Sequence, residues 1–323
     1  MTRKAAVFSH SGLGDGLISL VVSNNFHQNG WDVDTYHNGL ALLQSWFPHL
    51  PIQSYPSEIQ IPEILSQYEK IVIFYNDVSS FLIRLVDEGK KEDPERIKVI
   101  YPIPSNGMVH KPYYQDSLIN PRLPLVESLK IFCEEGLHLT KSTKKNGFIA
   151  PLALTFRKNP KRVVLHVNSS RAGKNWKIDK YVKLALHLIE ESYQPVIIAG
   201  SPKEREAYSW LEREGFILPF FEDLNEVTAY LYESGYLIGN DSGLGHLASC
   251  MGIPTVTIGR RKAVARFWRP NWAPSNIVVP SSLIPNIAGF RLRDRNWQKF
   301  VSVKMVIGSF KNLVRRSKKE IGF

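Results

Sequence analysis

The segment from Tyr236 to Ile258 constrains the fold of this chain more than any other part of it. An apolar strand, Tyr236–Ile238, runs into a polar turn broken by glycines, and a helix of small residues then leads to a second apolar strand. Gly243 and Gly245 allow the backbone N–H groups at the helix start to come close to a ligand. These donors and the helix dipole favour an anion. The segment therefore predicts a strand–helix–strand unit with a ligand site at the end of its first strand.

Short apolar runs alternate with helical patterns in both halves of the chain, which is typical of α/β domains built on parallel sheets. The predicted strands are Ala5–Phe8, Val33–Tyr36, Ile71–Tyr75, Ile97–Tyr101, Arg162–Val167, Pro195–Ala199, Gly235–Ile238 and Thr255–Ile258. The predicted helices include Gly16–Gln28, Val78–Glu88, Ile178–Ser192, Lys203–Glu214 and Leu224–Glu233. Polar connections at 141–147 and 157–160 place a boundary near residue 155, so we predict domains at 1–155 and 156–323.

The net charge of +11 is unevenly distributed. The segment 257–323 has 15 Lys and Arg against two acidic residues, whereas the first 256 residues have 26 against 28. A localised field of this kind indicates an anionic partner, which could be a phosphorylated substrate, an acidic lipid surface or a nucleic acid. No base-stacking platform or recognised motif supports a nucleic acid.

Nothing in the sequence predicts a membrane span, because no apolar run approaches the roughly 20 residues that one requires. The N-terminal segment is interpreted as a first strand, since its apolar part is too short for a signal peptide core. Cys133 and Cys250 lack metal spacing and are expected to be reduced, in a cytoplasmic protein.

The last helical stretch is amphipathic. Apolar residues at spacings of 3, 4, 3 and 4 form one stripe, and four cations lie along a neighbouring stripe. The apolar residues are Phe300, Val303, Ile307, Phe310 and Val314, and the cations are Lys304, Lys311, Arg315 and Lys318. Such a helix could turn its cations toward a membrane surface, or it could be a packed terminal helix with a solvated basic flank.

A glycine-rich turn, Gly12-Leu-Gly-Asp-Gly, follows the first strand directly. It is not a dinucleotide fingerprint, because it lacks the third glycine that helix packing requires, and it has no Walker lysine. Asp15 stands where the next helix should start, so it could be a helix N-cap. It could equally be a carboxylate base at the mouth of the sheet.

Two polar loops follow strands of the second half. Ser169, Ser170, Arg171 and Lys174 give two hydroxyls and two cations within six residues, a combination that suits a diphosphate although polar strand-end loops are common. Trp176, just after them, is interpreted as a packing residue. In the next loop Glu204 is either a carboxylate stabilised in the first helical turn or a ligand for ribose hydroxyls.

The polar turn within Tyr236–Ile258 carries titratable side chains at the end of the strand that precedes it. Asp241-Ser-Gly can cap its helix and bind phosphate at once, through Ser242 and Gly243. His246 lies five positions after Asp241, near the same loop, and is either a buried structural group or a ligand contact.

These four segments, in this order and spacing, resemble glycosyltransferase family nine, the heptosyltransferases of lipopolysaccharide core synthesis. The matching residues are Gly-Leu-Gly-Asp at 12–15, Ser-Ser-Arg and Lys-Asn-Trp within 169–176, Ala-Gly-Ser-Pro-Lys-Glu at 199–204 and Asn-Asp-Ser-Gly-Leu-Gly-His-Leu-Ala at 240–248. The last is the most specific, and the resemblance spans about residues 4 to 260.

The resemblance implies the GT-B architecture, with two Rossmann-like domains facing across a cleft and a C-terminal helix returning to the first. It implies transfer of a heptose from ADP-heptose to a lipid A-based acceptor, with inversion and without a metal or other cofactor, at the inner face of the inner membrane. Asp15 would then be the base in an acceptor-binding domain, and Asp241 would bind the sugar. In the nucleotide-sugar-binding domain, the other donor-site residues would be Ser169, Ser170, Lys174, Glu204, Ser242, Gly243 and His246.

The chain also departs from the family. Where the family commonly continues with Gly-Pro-Thr after the strand ending at Ile258, this chain has Gly259 followed by Arg260, Arg261 and Lys262. The two arginines could bind a further phosphate on donor or acceptor, or lie on the surface without a ligand. A UDP- or GDP-linked donor, or a non-catalytic nucleotide-sugar-binding role, stays open as an alternative. No Asp-x-Asp metal signature is expected, because Asp32 and Asp34 lie in or beside a predicted strand.

Overall fold

The structure, a computed structural model, describes residues 3–75, 78–102, 114–286 and 291–321. The chain divides into two compact units, Met1–Pro151 and Leu152–Phe323. Each unit contains one five-stranded sheet in which every pair of neighbouring strands is parallel. The predicted α/β class with two parallel sheets is therefore confirmed.

The first unit has the strand order β3-β2-β1-β4-β5. Its strands are β1 (Lys4–Phe8), β2 (Asp32–Tyr36), β3 (Ile52–Gln53), β4 (Lys70–Phe74) and β5 (Ile97–Ile100). Its helices are α1 (Leu13–Gln28), α2 (Ile61–Gln67), α3 (Ser80–Glu92) and α4 (Leu125–Ile131), with 3₁₀ turns at Leu40–Trp46, Glu58–Gln60 and Tyr114–Ser117 and a π-helical turn at Phe132–Gly136.

The second unit has the strand order β10-β9-β8-β6-β7. Its strands are β6 (Asn159–His166), β7 (Gln194–Ile198), β8 (Ser234–Asn240), β9 (Thr255–Ile258) and β10 (Ser275–Val278). Its helices are α5 (Ile178–Glu190), α6 (Pro202–Ala207), α7 (Trp210–Arg213), α8 (Leu224–Tyr232), α9 (Gly243–Cys250), α10 (Lys262–Phe267), α11 (Leu292–Arg295), α12 (Trp297–Phe300) and α13 (Val303–Ile321), with a 3₁₀ turn at Ala172–Lys174.

The strand order of the second unit determines where its loops meet. The chain runs from β6 outward to β7, then returns to β8 on the other side of β6. In open α/β sheets this reversal opens a crevice outside the carboxyl ends of the two central strands, where ligands bind. All seven residues of β8 and the last four of β6 are buried, so the loops that follow these strands start from a rigid base.

The terminal helix α13 packs on the second unit, against β9, β10 and α5. Phe310 is buried on it, edge-on to the rings of Tyr193 and Tyr236. The helix begins at Val303, so the prediction that Phe300 is part of it was wrong. Its fully buried stripe runs through Val306, Phe310 and Leu313, and is therefore displaced from the predicted one.

All eight predicted strands are present, with ends displaced by at most three residues. Two further strands were not predicted: β3 has only two residues, and β10 is a short Ser-Asn-Ile-Val run. The single helix predicted at Lys203–Glu214 is two short helices, α6 and α7, because the backbone leaves helical geometry at Tyr208.

Candidate functional site

The loops after β6 and β8 meet at the crevice of the second sheet. Lys174, in the 3₁₀ turn after β6, donates from Nζ to Oδ2 of Asp241, which directly follows β8; the two atoms are 3.3 Å apart. Both side chains remain partly exposed to solvent. The structure thus brings together a cation and a carboxylate from two sequence motifs 67 residues apart.

Asn240, the last residue of β8, fixes the loop that carries Lys174. Its Oδ1 accepts a hydrogen bond from the backbone N–H of Trp176 at 2.8 Å, and its Nδ2 donates to the carbonyl of Val167 at 2.8 Å. The Trp176 ring is buried and donates from Nε1 to the carbonyl of Val301 at 3.0 Å, which confirms its prediction as a packing residue. The loop is therefore fixed at both ends before any ligand arrives.

The N-terminus of α9 is not capped by a side chain. Ser242 is the N-cap residue, but its hydroxyl is hydrogen-bonded to Nδ1 of the buried His166 at 2.9 Å and makes no capping bond. The first N–H groups of a helix have no acceptor inside the helix. The N–H groups of Gly243 and Leu244 are therefore positioned to donate to an anion at this point.

His246 lies in the first turn and a half of the same helix and is 5% exposed. Burial lowers its pKa to about 4, so the ring is neutral at pH 7. Its Nδ1 is buried and has no hydrogen-bond partner among the described residues, and its ring lies edge-on to Trp272. A buried ring nitrogen without a partner is costly, so His246 is not a fully satisfied structural group.

Glu204 is held from two sides at the start of α6. Its Oε1 accepts a hydrogen bond from Asn168 Nδ2 at 3.0 Å, and its Oε2 accepts one from Ser201 Oγ at 3.1 Å. Ser201 also caps the helix, by accepting from the Glu204 N–H. The carboxylate is thus fixed next to the β6 loop, and each oxygen keeps a lone pair for another donor.

Two cavities flank this crevice. The β7 cavity, of about 290 Å³, lies beyond the carboxyl end of β7, where Pro202, Phe220, Phe221 and Leu244 are among its lining residues. The β9 cavity, of about 240 Å³, lies beyond the carboxyl ends of β8 and β9. Its charged lining residues are Arg171, Lys174, Asp241, Arg260 and Arg261.

The two serines after β6 differ in their surroundings. Ser169 Oγ contacts the carbonyl of Arg171 at 3.0 Å and Asn175 Oδ1 at 2.6 Å, so this hydroxyl holds the loop together. Ser170 is exposed. Of the two, Ser170 has the hydroxyl that is open to a ligand.

Asp15 belongs to the first unit and lies in the first turn of α1, at the carboxyl end of β1. The helix begins at Leu13 with Gly12 as its N-cap, so the interpretation of Asp15 as the N-cap was wrong. The carboxylate bends back over Gly12, where an added Cβ would collide with Asp15 Oδ2. The glycine therefore provides the room that this orientation requires.

His37, which the sequence did not single out, supports the same turn. Its Nδ1 accepts from the N–H groups of Gly39 and Leu40, at 3.1 and 2.8 Å, so its Nε2 carries the proton and donates to the Gly12 carbonyl at 3.1 Å. Burial lowers the pKa of His37, and the hydrogen bond to Gly12 and the charge of Asp15 oppose that shift. A neutral, buried ring thus fixes the turn next to Asp15.

Neither a metal-ion cluster nor a membrane span is found within the ranges that the structure describes. No three His, Cys, Asp or Glu side chains there are grouped so that they could hold a metal ion. Asp34 instead accepts hydrogen bonds from Tyr68 and Gln53, as expected of a structural residue. No helix of the described chain is long and apolar enough to cross a membrane.

Comparison with known proteins gives the fold, and a family match over part of the chain. Residues 134–288 match the model of glycosyltransferase family 9 (heptosyltransferase). No curated protein matches the chain by sequence.

Solved structures with the same fold cover nearly the whole chain. E. coli heptosyltransferase WaaC with ADP has a TM-score of 0.65 at 14% identity, over 96% of this chain and 99% of that one. A family 9 glycosyltransferase from Veillonella parvula has a TM-score of 0.70 at 13% identity, over 98% of both chains. E. coli ADP-heptose lipopolysaccharide heptosyltransferase II has a TM-score of 0.66 at 15% identity, over 98% and 99%.

These likenesses confirm the predicted GT-B fold class, since the two parallel sheets are those of the solved heptosyltransferases. The family match includes the loops that carry Lys174, Glu204, Asp241 and His246. The match over residues 134–288 therefore supports a glycosyltransferase of family 9, the heptosyltransferase family.

Proposed function

We propose that this protein transfers a heptose from ADP-heptose to a lipopolysaccharide core or lipid A acceptor, with inversion at the anomeric carbon and without a metal ion. The observation that carries the proposal is the uncapped N-terminus of α9 opposite Lys174, because it supplies amide donors and a cation for a diphosphate. Related structures contain ADP or ADP-2-deoxy-2-fluoro heptose, which supports an adenine nucleotide here.

The donor would lie along the carboxyl edge of the second sheet. Its diphosphate would accept from the amides of Gly243 and Leu244, from Lys174 and from the exposed hydroxyl of Ser170. Glu204 would accept from the ribose hydroxyls. The β7 cavity, with Phe220 and Phe221 in its lining, would take the base. Asp241 would accept from a sugar hydroxyl and His246 would hydrogen-bond the diphosphate or the sugar.

Asp15 would be the general base. It would take the proton of the acceptor hydroxyl while that oxygen bonds to the anomeric carbon and the bond from that carbon to the donor phosphate breaks. The electron pair leaves with ADP, whose developing charge the α9 amides and Lys174 would stabilise. Displacement from the face opposite the leaving group inverts the anomeric configuration.

The positive charge of α13 would also attract the membrane surface that holds the acceptor. Lys304, Arg315 and Lys318 are exposed on α13, and an anionic glycolipid surface would attract them. We propose that this face makes a peripheral contact with the membrane that holds the acceptor. Cosedimentation with anionic and neutral vesicles tests it; binding that is equal for both would contradict it.

The test of the function is a transfer assay with purified protein, ADP-heptose and deacylated lipopolysaccharide core acceptors. Asp15→Asn should abolish transfer and keep ADP affinity, and full transfer by this variant would remove the base assignment. The anomeric configuration of the product, read by NMR, tests inversion, and unchanged turnover in excess chelator tests metal independence. A thermal-shift panel of ADP, UDP and GDP separates the donor alternatives, since binding to the native state stabilises it.

A further inference from the structure

Four cationic side chains line the β9 cavity, but only two of them form an ion pair in the described part of the chain. Lys174 is paired with Asp241, and Arg261 is paired with Asp294. Arg171 and Arg260 have neither an ion pair nor a side-chain hydrogen bond within those residues. Arg171 and Arg260 therefore border a cavity of about 240 Å³ without an ion pair of their own, and the charge of Asp294 that pairs with Arg261 also acts on Arg260.

The loop that carries Arg260 is fixed by the fold. Arg261 donates from Nε to Asp294 Oδ2 at 2.7 Å, and its terminal nitrogen contacts the same oxygen. The side chain of Asp294 is only 5% exposed, and the arginine holds the pKa of this carboxyl below its usual range. On the other side of Arg260, the Gly259 N–H donates to the carbonyl of Val278 at 2.9 Å. Arg260 thus lies between two anchored neighbours.

The order of the strands indicates which part of a substrate meets these cations. Along the carboxyl edge of the sheet, the β7 cavity comes first and the crevice between β6 and β8 follows; the β9 cavity shares Lys174 and Asp241 with this crevice and extends from it toward β9. Neighbouring strands are about 4.8 Å apart, so the ends of successive strands lie next to successive chemical groups of a substrate bound along this edge. If the base and diphosphate occupy the first two positions, the transferred sugar and the attacking acceptor meet at the third.

We propose that Arg260, together with Arg171, binds an anionic substituent, a phosphate or carboxylate, carried by the substrate in addition to the donor diphosphate. This inference rests on the proposed function and specifies its substrate class. The anion belongs to the transferred sugar or to the acceptor sugar that meets it. Arginine suits this role because its planar fork binds carboxylate and phosphate through two parallel hydrogen bonds.

The first experiment separates this anion from the diphosphate. ADP affinity is measured by calorimetry for the wild type, Arg260→Gln, Arg171→Gln and the matched control Arg266→Gln, an exposed arginine of α10 outside the cavity lining. Arg260→Gln should leave ADP affinity close to that of the control. If it weakened ADP as much as Lys174→Ala does, the arginines would serve the diphosphate and the proposal would be overturned.

The second experiment detects the anion directly. Inorganic phosphate is titrated into the protein saturated with ADP, and the thermal unfolding midpoint is followed. The wild type and Arg266→Gln should be stabilised, with a phosphate affinity about tenfold above that of Arg260→Gln, as expected for one charge-assisted hydrogen bond. Equal responses in all three proteins would mean that Arg260 is a solvated surface cation only, which contradicts the inference.

Two further arms identify the source of the anion. For the donor, binding of ADP-glucose is compared with binding of ADP-glucuronic acid; for the acceptor, KM is compared before and after phosphatase treatment or carboxyl reduction. If the wild type prefers the charged ligand in one arm and Arg260→Gln loses that preference, that arm identifies the source of the anion. If the wild type prefers the charged ligand in neither arm, the inference is overturned. A wild type that binds phosphate but neither ADP nor any donor would instead contradict the proposed function.

Discussion

Removal of the Lys174 ammonium should weaken ADP binding by an amount that can be worked from its surroundings. A hydrogen bond from a cation to phosphate contributes about 1.5–3 kcal/mol, which corresponds to a rise in Kd of about 10- to 150-fold. In the free protein Lys174 is paired with Asp241, but the lysine is 48% exposed. An exposed pair of this kind is worth only about 0–1 kcal/mol, so little of the binding energy is lost in breaking it.

The variant Lys174→Ala also leaves the Asp241 carboxylate near the bound diphosphate without its cation. Repulsion between these like charges adds to the loss of ADP affinity, so we expect a rise in Kd in the upper half of the range of about 10- to 150-fold. Lys174→Ala combined with Asp241→Asn should recover part of the affinity, because the repulsion is then gone. The double-mutant cycle measures this coupling, which for contacting groups is typically about 0.5–3 kcal/mol.

The assay is isothermal titration with ADP. ADP lacks the transferred heptose, so its affinity does not report the proposed contact between Asp241 and that heptose. The matched control is Lys177→Ala, which removes the same charge from an exposed position three residues further along. An ADP affinity in Lys174→Ala equal to that of Lys177→Ala would refute the reasoning. If the ADP affinity of each variant is equal at low and high salt, a general charge effect is excluded as the cause of a difference between Lys174→Ala and Lys177→Ala.

Three further predictions follow from individual contacts. Gly12→Ala should slow transfer while ADP affinity stays unchanged, because the new methyl group displaces the Asp15 carboxylate; steady-state kinetics and calorimetry check this. The free energy of unfolding should fall as the pH drops from about 6.5 toward 4, by up to about 3 kcal/mol for each of His166 and His246, since burial lowers both pKa values to about 4 and the unfolded chain then binds more protons. Urea unfolding at several pH values measures it, and His246→Gln should flatten the profile. Asn240→Ala should cost about 1–3 kcal/mol of stability by leaving two buried backbone groups without their partners, and an unchanged urea midpoint would contradict the role given to this side chain.

The repeating units of the fold could be read from the sequence because buried parallel strands are continuous apolar runs. All eight strands that carry such runs, from β1 to β9 without β3, were predicted. β3 was missed because two residues give no periodicity, and β10 because its Ser-Asn-Ile-Val run has only two apolar residues. The break between α6 and α7 was missed because the composition of 203–214 is helical throughout.

The loops of the candidate site could be located in the sequence, but their internal contacts could not. Glycines and polar residues after apolar runs marked the positions of Lys174, Glu204 and Asp241. The partners that fix these loops, Asn240 and His166, are single polar residues at strand ends. Such residues are common and often bind neither a ligand nor a loop, so nothing in the sequence marked these two. Pairing of residues 67 or 76 positions apart is decided by the strand order, which no local pattern states.

His37 and Asp294 show the same limit. Each is buried and acts on a neighbour far away in sequence, the Gly12 turn in one case and Arg261 in the other. The sequence pointed to Arg260 and Arg261 as a pair of equal cations. The structure distinguishes them, because among the described residues only Arg261 forms a direct ion pair with the buried carboxylate of Asp294.

The central claim is that the diphosphate of the donor is bound by the N-terminus of α9 and by Lys174. A crystal structure of the protein with ADP-heptose tests it most directly. We predict that a phosphate oxygen accepts from the N–H of Gly243 or Leu244 and that Lys174 Nζ lies within hydrogen-bond distance of the same diphosphate. A donor ordered elsewhere, with the Gly243 and Leu244 amides still bound only to solvent, would contradict the account.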